Sequence, residues 1–170
     1  MVDDSTCSLE AIADLPLHVT VIHNPICGWR SKRKLQRFVA TAMLRGLTMI
    51  VRTTRHAGEA EVMAAEAAAD GWTQVVVVAG GDGTINEVIN GLAGVASPPL
   101  VALLPLGTAN VLAAEIAVAD SATTLVDSIV RAANRWRWHP DLWPGRTDVV
   151  LRSWLASALM HMLWRPSAGA

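Results

Sequence analysis

The chain alternates between short unbroken apolar runs and longer segments whose apolar positions recur every three or four residues. His18 to Ile22 is a short run broken at Asn24-Pro25 and Gly28, which predicts a buried strand and a turn. From Ser31 to Arg45, Leu35, Phe38, Val39, Ala42 and Met43 fall at helical spacing, and Gly46 stands where a helix C-cap is expected. Leu47 to Val51 predicts a second strand. Ala57 to Asp70 is rich in Ala, Glu and Met, good helix formers, and Gly71 ends it. Gln74 to Ala79 contains four consecutive valines, the mark of a strand buried on both faces. A turn over Gly80–Thr84 leads into a helix from Ile85 to Leu92. Leu100 to Leu104 predicts a further strand, Thr108 to Ile116 a helix, and Asp120 to Ala133 another helix started by Asp120 or Ser121. Met43, Met49 and Met63 read as core filling.

Strand and helix alternate about four times. That order implies an α/β fold with three layers, α/β/α, around a mostly parallel sheet. In such sheets ligands bind beyond the carboxyl ends of the strands. Asn24, Thr53, Gly80–Thr84 and Gly107–Asn110 all follow predicted strands, so the topology gathers them at one edge.

Composition narrows the class. Just over half of the 170 residues are hydrophobic, enough for one continuous core. Charge is almost balanced, with 14 basic and 15 acidic residues and no long basic run, which argues against a general nucleic-acid binder. Cys7 and Cys27 lack metal-ligand spacing and fit a reduced, cytoplasmic protein. His18, His23 and His56 form no metal-ligand pattern and read as exposed or locally satisfied. The first fifteen residues read as loose, and Asp3, Asp4 and Glu10 stand where a secretory signal needs a basic start. The apolar stretch from Pro98 to Ala119 is interrupted by Gly107, Asn110 and Glu115, which fits strand, loop and helix better than a membrane span. Arg30, Lys32, Arg33 and Lys34 have two readings, attraction to an anionic membrane surface or a solvated helix face. Oligomeric state leaves no mark in the sequence.

The candidate chemistry centres on Gly80-Gly81-Asp82-Gly83-Thr84. Glycines between a buried strand and a helix start bring backbone N–H groups close to a ligand, and the helix dipole favours an anion there. The loop is not a Walker A motif, because the Lys-Ser/Thr pair is missing, and Asn86 stands at the third glycine position of G-x-G-x-x-G. Asp82 would repel a phosphate unless a divalent cation intervened, so it points to a nucleotide–Mg²⁺ site, contacting the metal directly or through water. Thr84-Ile85-Asn86-Glu87 also has the form of a capping box, which gives Glu87 a structural alternative to a place in the nucleotide site.

Val78 to Leu92 resembles the signature of the diacylglycerol kinase catalytic domain, a family that includes sphingosine and other lipid kinases, with NAD kinases more distant. His23-Asn24-Pro25-Ile26-Cys27-Gly28 resembles its first nucleotide-binding loop, and Leu104-Pro105-Leu106-Gly107-Thr108-Ala109-Asn110 its last. The likeness runs from about Leu17 to Arg131. It implies an ATP–Mg²⁺ site in which Asn24, Pro25, Gly28 and Thr53 or Thr54 border the nucleotide. Gly80, Gly81, Gly83 and Thr84 would hold phosphates, Asp82 would act on the phosphate–Mg²⁺ side, and Gly107, Thr108 and Asn110 would form the facing loop. The activity implied is phosphoryl transfer from ATP to a lipid hydroxyl at the membrane surface. A small-molecule kinase of the NAD-kinase type and a non-catalytic nucleotide-binding module are the alternatives.

The last segment departs from the family. Residues 16–133 carry the resemblance, whereas residues 134–170 crowd Trp136, Trp138, Trp143, Trp154 and Trp164 together. Family members continue into a β-rich domain that closes the cleft and supplies the general base. Val149 to Trp164 has the alternative reading of an amphipathic, membrane-surface helix. Back-translating Trp154 to Trp164 from the third base of the first codon permits Ala-Gly-Ile-Gly-Phe-Asp-Ala-His-Val-Val, which resembles the opening of that second domain. The expectation is a frame shift near Asp148–Val149 and a truncated chain with weak or no kinase activity.

Overall fold

Four strands, β1 (His18–His23), β2 (Thr48–Thr53), β3 (Val75–Gly80) and β4 (Leu100–Pro105), form one sheet in the order β2-β1-β3-β4, and every pairing is parallel. The computed structural model describes residues 16–107, 110–115 and 121–138. A 3-10 turn (Pro25–Cys27) precedes α1 (Gly28–Leu44), and the chain continues through α2 (Glu59–Ala69), α3 (Asp82–Leu92), α4 (Val111–Glu115) and α5 (Ala122–Trp138). The expected strand–helix alternation is therefore present. The first fifteen residues, and the residues beyond Trp138 that carry most of the tryptophan-rich segment and the expected frame shift, lie outside the described ones.

Register explains the layering. Val21 lies between Val51 and Val77 across the ladder, and Val77 pairs onward with Ala102. Since successive strand residues face opposite ways, Val19, Val21, Val75, Val77, Ala79 and Leu104 share one face. They join Phe38 and Ala42 of α1 and Leu125, Val126, Ile129 and Ala133 of α5 in one core. The alternate positions Ile22, Val76, Val78 and Leu103 are buried on the other face. There α2 and α3 pack on each other and on β1 and β3, burying Ala60, Met63, Ala64, Ala67, Ile85, Val88 and Leu92. All of β3 is buried, as its valine run predicts.

The helical stripe of α1 is narrower than its sequence suggests. Phe38 and Ala42 are fully buried, with Leu35 and Val39 packed beside them, but Met43 is 65% exposed. At 3.6 residues per turn, Met43 sits roughly a quarter-turn away from the centre of that stripe. Met63 does fill the core, and Met49 is half-buried against it. Gly46 closes α1 at φ +76° and Gly71 follows α2 at φ +64°, conformations that glycine adopts without a Cβ clash.

α2 and α3 meet backbone to backbone. A Cβ added at Gly91 would lie 2.1 Å from the carbonyl oxygen of Glu61, with no flexible side chain to yield. We expect Gly91→Ala to cost about 3 kcal/mol by overpacking, read as a lowered denaturation midpoint. An unchanged midpoint would show that these helices are not held in contact.

Candidate nucleotide-binding site

The chain leaves β1 toward β2 on one side and leaves β3 toward β4 on the other. This divergence makes a crevice at the carboxyl ends of β1 and β3, the switch point where open α/β sheets bind ligands. Asn24 and Gly81 stand directly beyond those two strand ends.

Asn24 is fixed by three bonds. Its backbone N–H donates to Ala79 O (3.0 Å), its Oδ1 accepts from Ile26 N–H (3.0 Å), and its Nδ2 donates to Thr84 Oγ1 (3.1 Å). The first continues the sheet, the second turns the chain into Pro25, and the third ties the first loop to α3. Thr84 is buried, and a Cβ at Gly80 would lie 2.6 Å from its hydroxyl oxygen. Glycine is needed there because the threonine folds back over the strand end.

The helix after β3 starts at Asp82, not at Ile85. Gly81 is its N-cap, in extended conformation and with no side chain to bond the first turn. The capping box that was the structural alternative for Glu87 is consequently absent. Thr84 lies inside the helix, with its hydroxyl accepting from Asn24, and Glu87 Oε2 accepts the N–H of Ala60 (3.2 Å) on α2. The glycines of the loop allow the helix to begin earlier, which moves Thr84 out of the cap position.

Asp82 reaches across to the facing loop. Its Oδ2 accepts Val111 N–H (3.1 Å) and its Oδ1 accepts Leu112 N–H (3.4 Å), so it caps α4. Leu106 N–H donates to Gly80 O (2.9 Å), and the buried Ser31 hydroxyl donates to Leu106 O (3.0 Å). A Cβ at Gly107 would come within 2.7 Å of Gly81 Cα and 2.8 Å of Asn110 Oδ1. Asn110 adopts φ +46°, donates from Nδ2 to Gly107 O, and leaves Oδ1 buried without a partner among the described residues.

On the other flank, Thr53 pairs with His23 in the ladder, and Thr54 N–H donates to His23 O (2.9 Å). Thr54 is buried and Thr53 is exposed. Pro25 is exposed at the start of the 3-10 turn and Gly28 is the first residue of α1. Gly83 has open space around it. Thr108 lies outside the described residues. Thus Asn24, Gly80, Gly81, Asp82, Thr84, Gly107 and Asn110 are brought together by hydrogen bonds and close backbone approach, while Glu87 is directed to α2. Among the described residues no group of three or more His, Cys, Asp or Glu side chains could hold a metal.

Sequence patterns missed the cross-loop bonds of Ser31, Asp82 and Glu87, which link positions far apart in the chain. They also missed the burial of His23, which is 7% exposed at the end of β1. Burial, aided by the charge of Lys32, lowers its pKa below the ordinary histidine range.

With this geometry in place, the match to known proteins becomes specific. The model of the diacylglycerol kinase catalytic domain matches residues 18–136. The chain belongs to this family. It is 53% identical over 72 residues to a Cronobacter sakazakii protein named "Probable lipid kinase YegS-like", covering 41% of this chain and 24% of that protein. It is 32% identical over 117 residues to a Bacillus subtilis diacylglycerol kinase, covering 65% and 38%. A crystal structure of a Bacillus anthracis diacylglycerol kinase superposes with a TM-score of 0.55 at 23% identity, covering 70% of this chain and 43% of that one, a likeness of fold. The chain therefore spans well under half the length of these relatives.

Two outcomes follow from the local physics of this lipid kinase family domain. Gly107→Ala should lose about 1–3 kcal/mol of stability, since the crowding atom is backbone; a denaturant midpoint equal to the parent's would disprove the close approach. For His23, the unfolded chain takes up the proton first as pH falls. Stability should therefore decline below about pH 6.5 toward the lowered folded pKa. His23→Gln should flatten that part of a stability–pH curve, and an unaltered slope would remove His23 as its source.

Proposed function

We propose that this domain is the nucleotide half of an ATP-dependent lipid kinase, holding ATP·Mg²⁺ for transfer of its γ-phosphoryl group to a lipid hydroxyl. The observation that carries the reading is the near contact of Gly81 and Gly107 beside the start of α3, at the sheet's switch point. Two loops meet there without side chains, next to a helix start whose N-cap offers no competing oxygen. Such a surface suits a phosphate chain. The nucleotide would lie between the Asn24–Pro25–Gly28 segment with Thr53 and Thr54 on one side and Gly107, Thr108 and Asn110 on the other.

Asp82 fits a magnesium-bound triphosphate without forming a protein-only metal cage. Its oxygens each accept a backbone N–H and retain lone pairs for water or metal, and Mg²⁺ commonly takes one carboxylate together with phosphates and waters. When bound, the ion would offset phosphate charge. The chain's own contribution is positioning, which dominates phosphoryl transfer. We assign recognition of the lipid, and the base accepting its proton, to the part of the longer relatives that this chain does not span. No helix among the described residues is long and apolar enough to cross a membrane. We place the protein in the cytoplasm, with the lipid met at the membrane surface.

Gly83→Ala separates ligand contact from folding. It adds a methyl where there is space, in a helix where Ala is favoured over Gly by about 1 kcal/mol. The variant should match or exceed parental stability yet bind MgATP about tenfold more weakly, a loss near 1.4 kcal/mol. Titration of the parent, Gly83→Ala and Asp82→Ala with MgATP tests this, and parental affinity in both variants would sink the cradle. With labelled ATP, the chain should show binding with little turnover of diacylglycerol. Phosphorylation of NAD without lipid would favour a small-molecule kinase instead.

A further inference from the structure

Helix α2 begins without a cap of its own. Its N-cap is Gly58 at φ +83°, which has no side chain to bond the first turn. Glu59 turns back to Arg55, accepting its backbone N–H at 2.6 Å and pairing with its guanidinium at 3.1 Å. Ala60 is completely buried, so its N–H needs a partner inside the protein. Glu87 supplies it from α3, through Oε2 at 3.2 Å. A carboxylate is well matched to the positive end of a helix.

The face of α3 that carries Glu87 connects three parts of the site. Thr84, Glu87 and Gly91 follow at helical i, i+3 and i+4 steps, on one side of the helix. Thr84 accepts from Asn24, Glu87 accepts from Ala60, and Gly91 faces the Glu61 carbonyl. The segment from Thr54 to Ala60 is held at both ends, by Thr54 N–H on His23 O and by Ala60 N–H on Glu87. The same rigid helix begins with the turn of Asp82, Gly83 and Thr84.

We propose that Glu87 is a positioning residue for nucleotide binding, holding the β2–α2 loop in register with the glycine turn by capping α2 from α3. The proposal rests on the nucleotide reading above, but replaces a direct contact of Glu87 with the nucleotide by an action through the loop. The required property is an acceptor oxygen, not a negative charge. Gln offers that oxygen and Ala does not.

The test uses the full chain with Glu87→Gln and Glu87→Ala, measuring MgATP affinity and amide hydrogen exchange. Glu87→Ala should weaken MgATP about five- to tenfold, the size of a lost helix cap expressed as affinity, and raise exchange over residues 54–60. Glu87→Gln should restore most of both. Equal weakening by the two variants would overturn the proposal in favour of a charge acting on metal or phosphate. Raised exchange with unchanged affinity in Glu87→Ala would reduce Glu87 to a stabilising cap and also overturn it. If Glu87→Ala does not fold, Glu87→Asp, one methylene shorter, takes its place with the same expected loss. Failure of the parent to bind MgATP would refute the nucleotide reading separately. The exchange pattern would then still decide whether Glu87 restrains residues 54–60, and unaltered protection would refute that too.

Discussion

The near contact of Gly81 and Gly107 governs the architecture of the site. A side chain at Gly107 would strike the Gly81 backbone, and one at Gly80 would strike Thr84. The loops after β3 and β4 can meet only because these positions carry hydrogen. Their meeting aligns Leu106 N–H with Gly80 O, extending the β3–β4 ladder one step beyond the strands. Ser31 then fastens the same loop to α1 from the other layer. A steric constraint at one point thereby relates both helical layers to the switch point of the sheet.

Two carboxylates complete the arrangement in an unexpected way. Asp82 and Glu87 both belong to α3, and each serves the start of a different helix. The recipients explain why. Gly58 has no side chain, and Asn110 Oδ1, the one atom of that amide able to accept, is buried without a bond from the first turn of α4. Capping from a neighbouring element fixes the spacing between elements as well as satisfying a donor, which a local cap cannot do. For Asp82 this structural bond and the proposed phosphate–Mg²⁺ role are compatible, since a carboxylate oxygen can accept more than one interaction.

The sequence revealed the fold where one periodicity dominates. Four valines in β3, the Phe38–Ala42 stripe and the helix-ending Gly46 and Gly71 each have a local physical cause, and the structure contains the corresponding elements. It failed where two local rules compete. Thr84 and Glu87 have capping-box spacing, but Gly81 allows α3 to begin at Asp82, and Asn24 then engages the threonine. Met43 has acceptable helical spacing, yet the core is already filled by residues nearer the centre of the stripe. The gathering of the candidate residues was legible because strand ends converge in a parallel sheet. Its cross-links were not, because Asp82 to Val111 and Glu87 to Ala60 depend on tertiary distance.

The remaining tension sits in the β4–α4 loop. Asn110 takes a left-handed conformation uncommon for a residue with a side chain, and its Oδ1 is the buried side-chain acceptor without a partner among the described residues. An unsatisfied buried acceptor costs about 1–3 kcal/mol unless water or a ligand meets it. Among the described residues the opposite lip shows no such feature: Asn24 uses both ends of its amide, and Thr54 continues the ladder from His23. The two lips therefore differ in character. One is an extension of the sheet, and the other is held by glycine contact and by a carboxylate from α3. Under the proposed nucleotide reading, a triphosphate would exert its leverage on the second lip, where the hydrogen bonding is incomplete and Asp82 joins the glycine turn to α4.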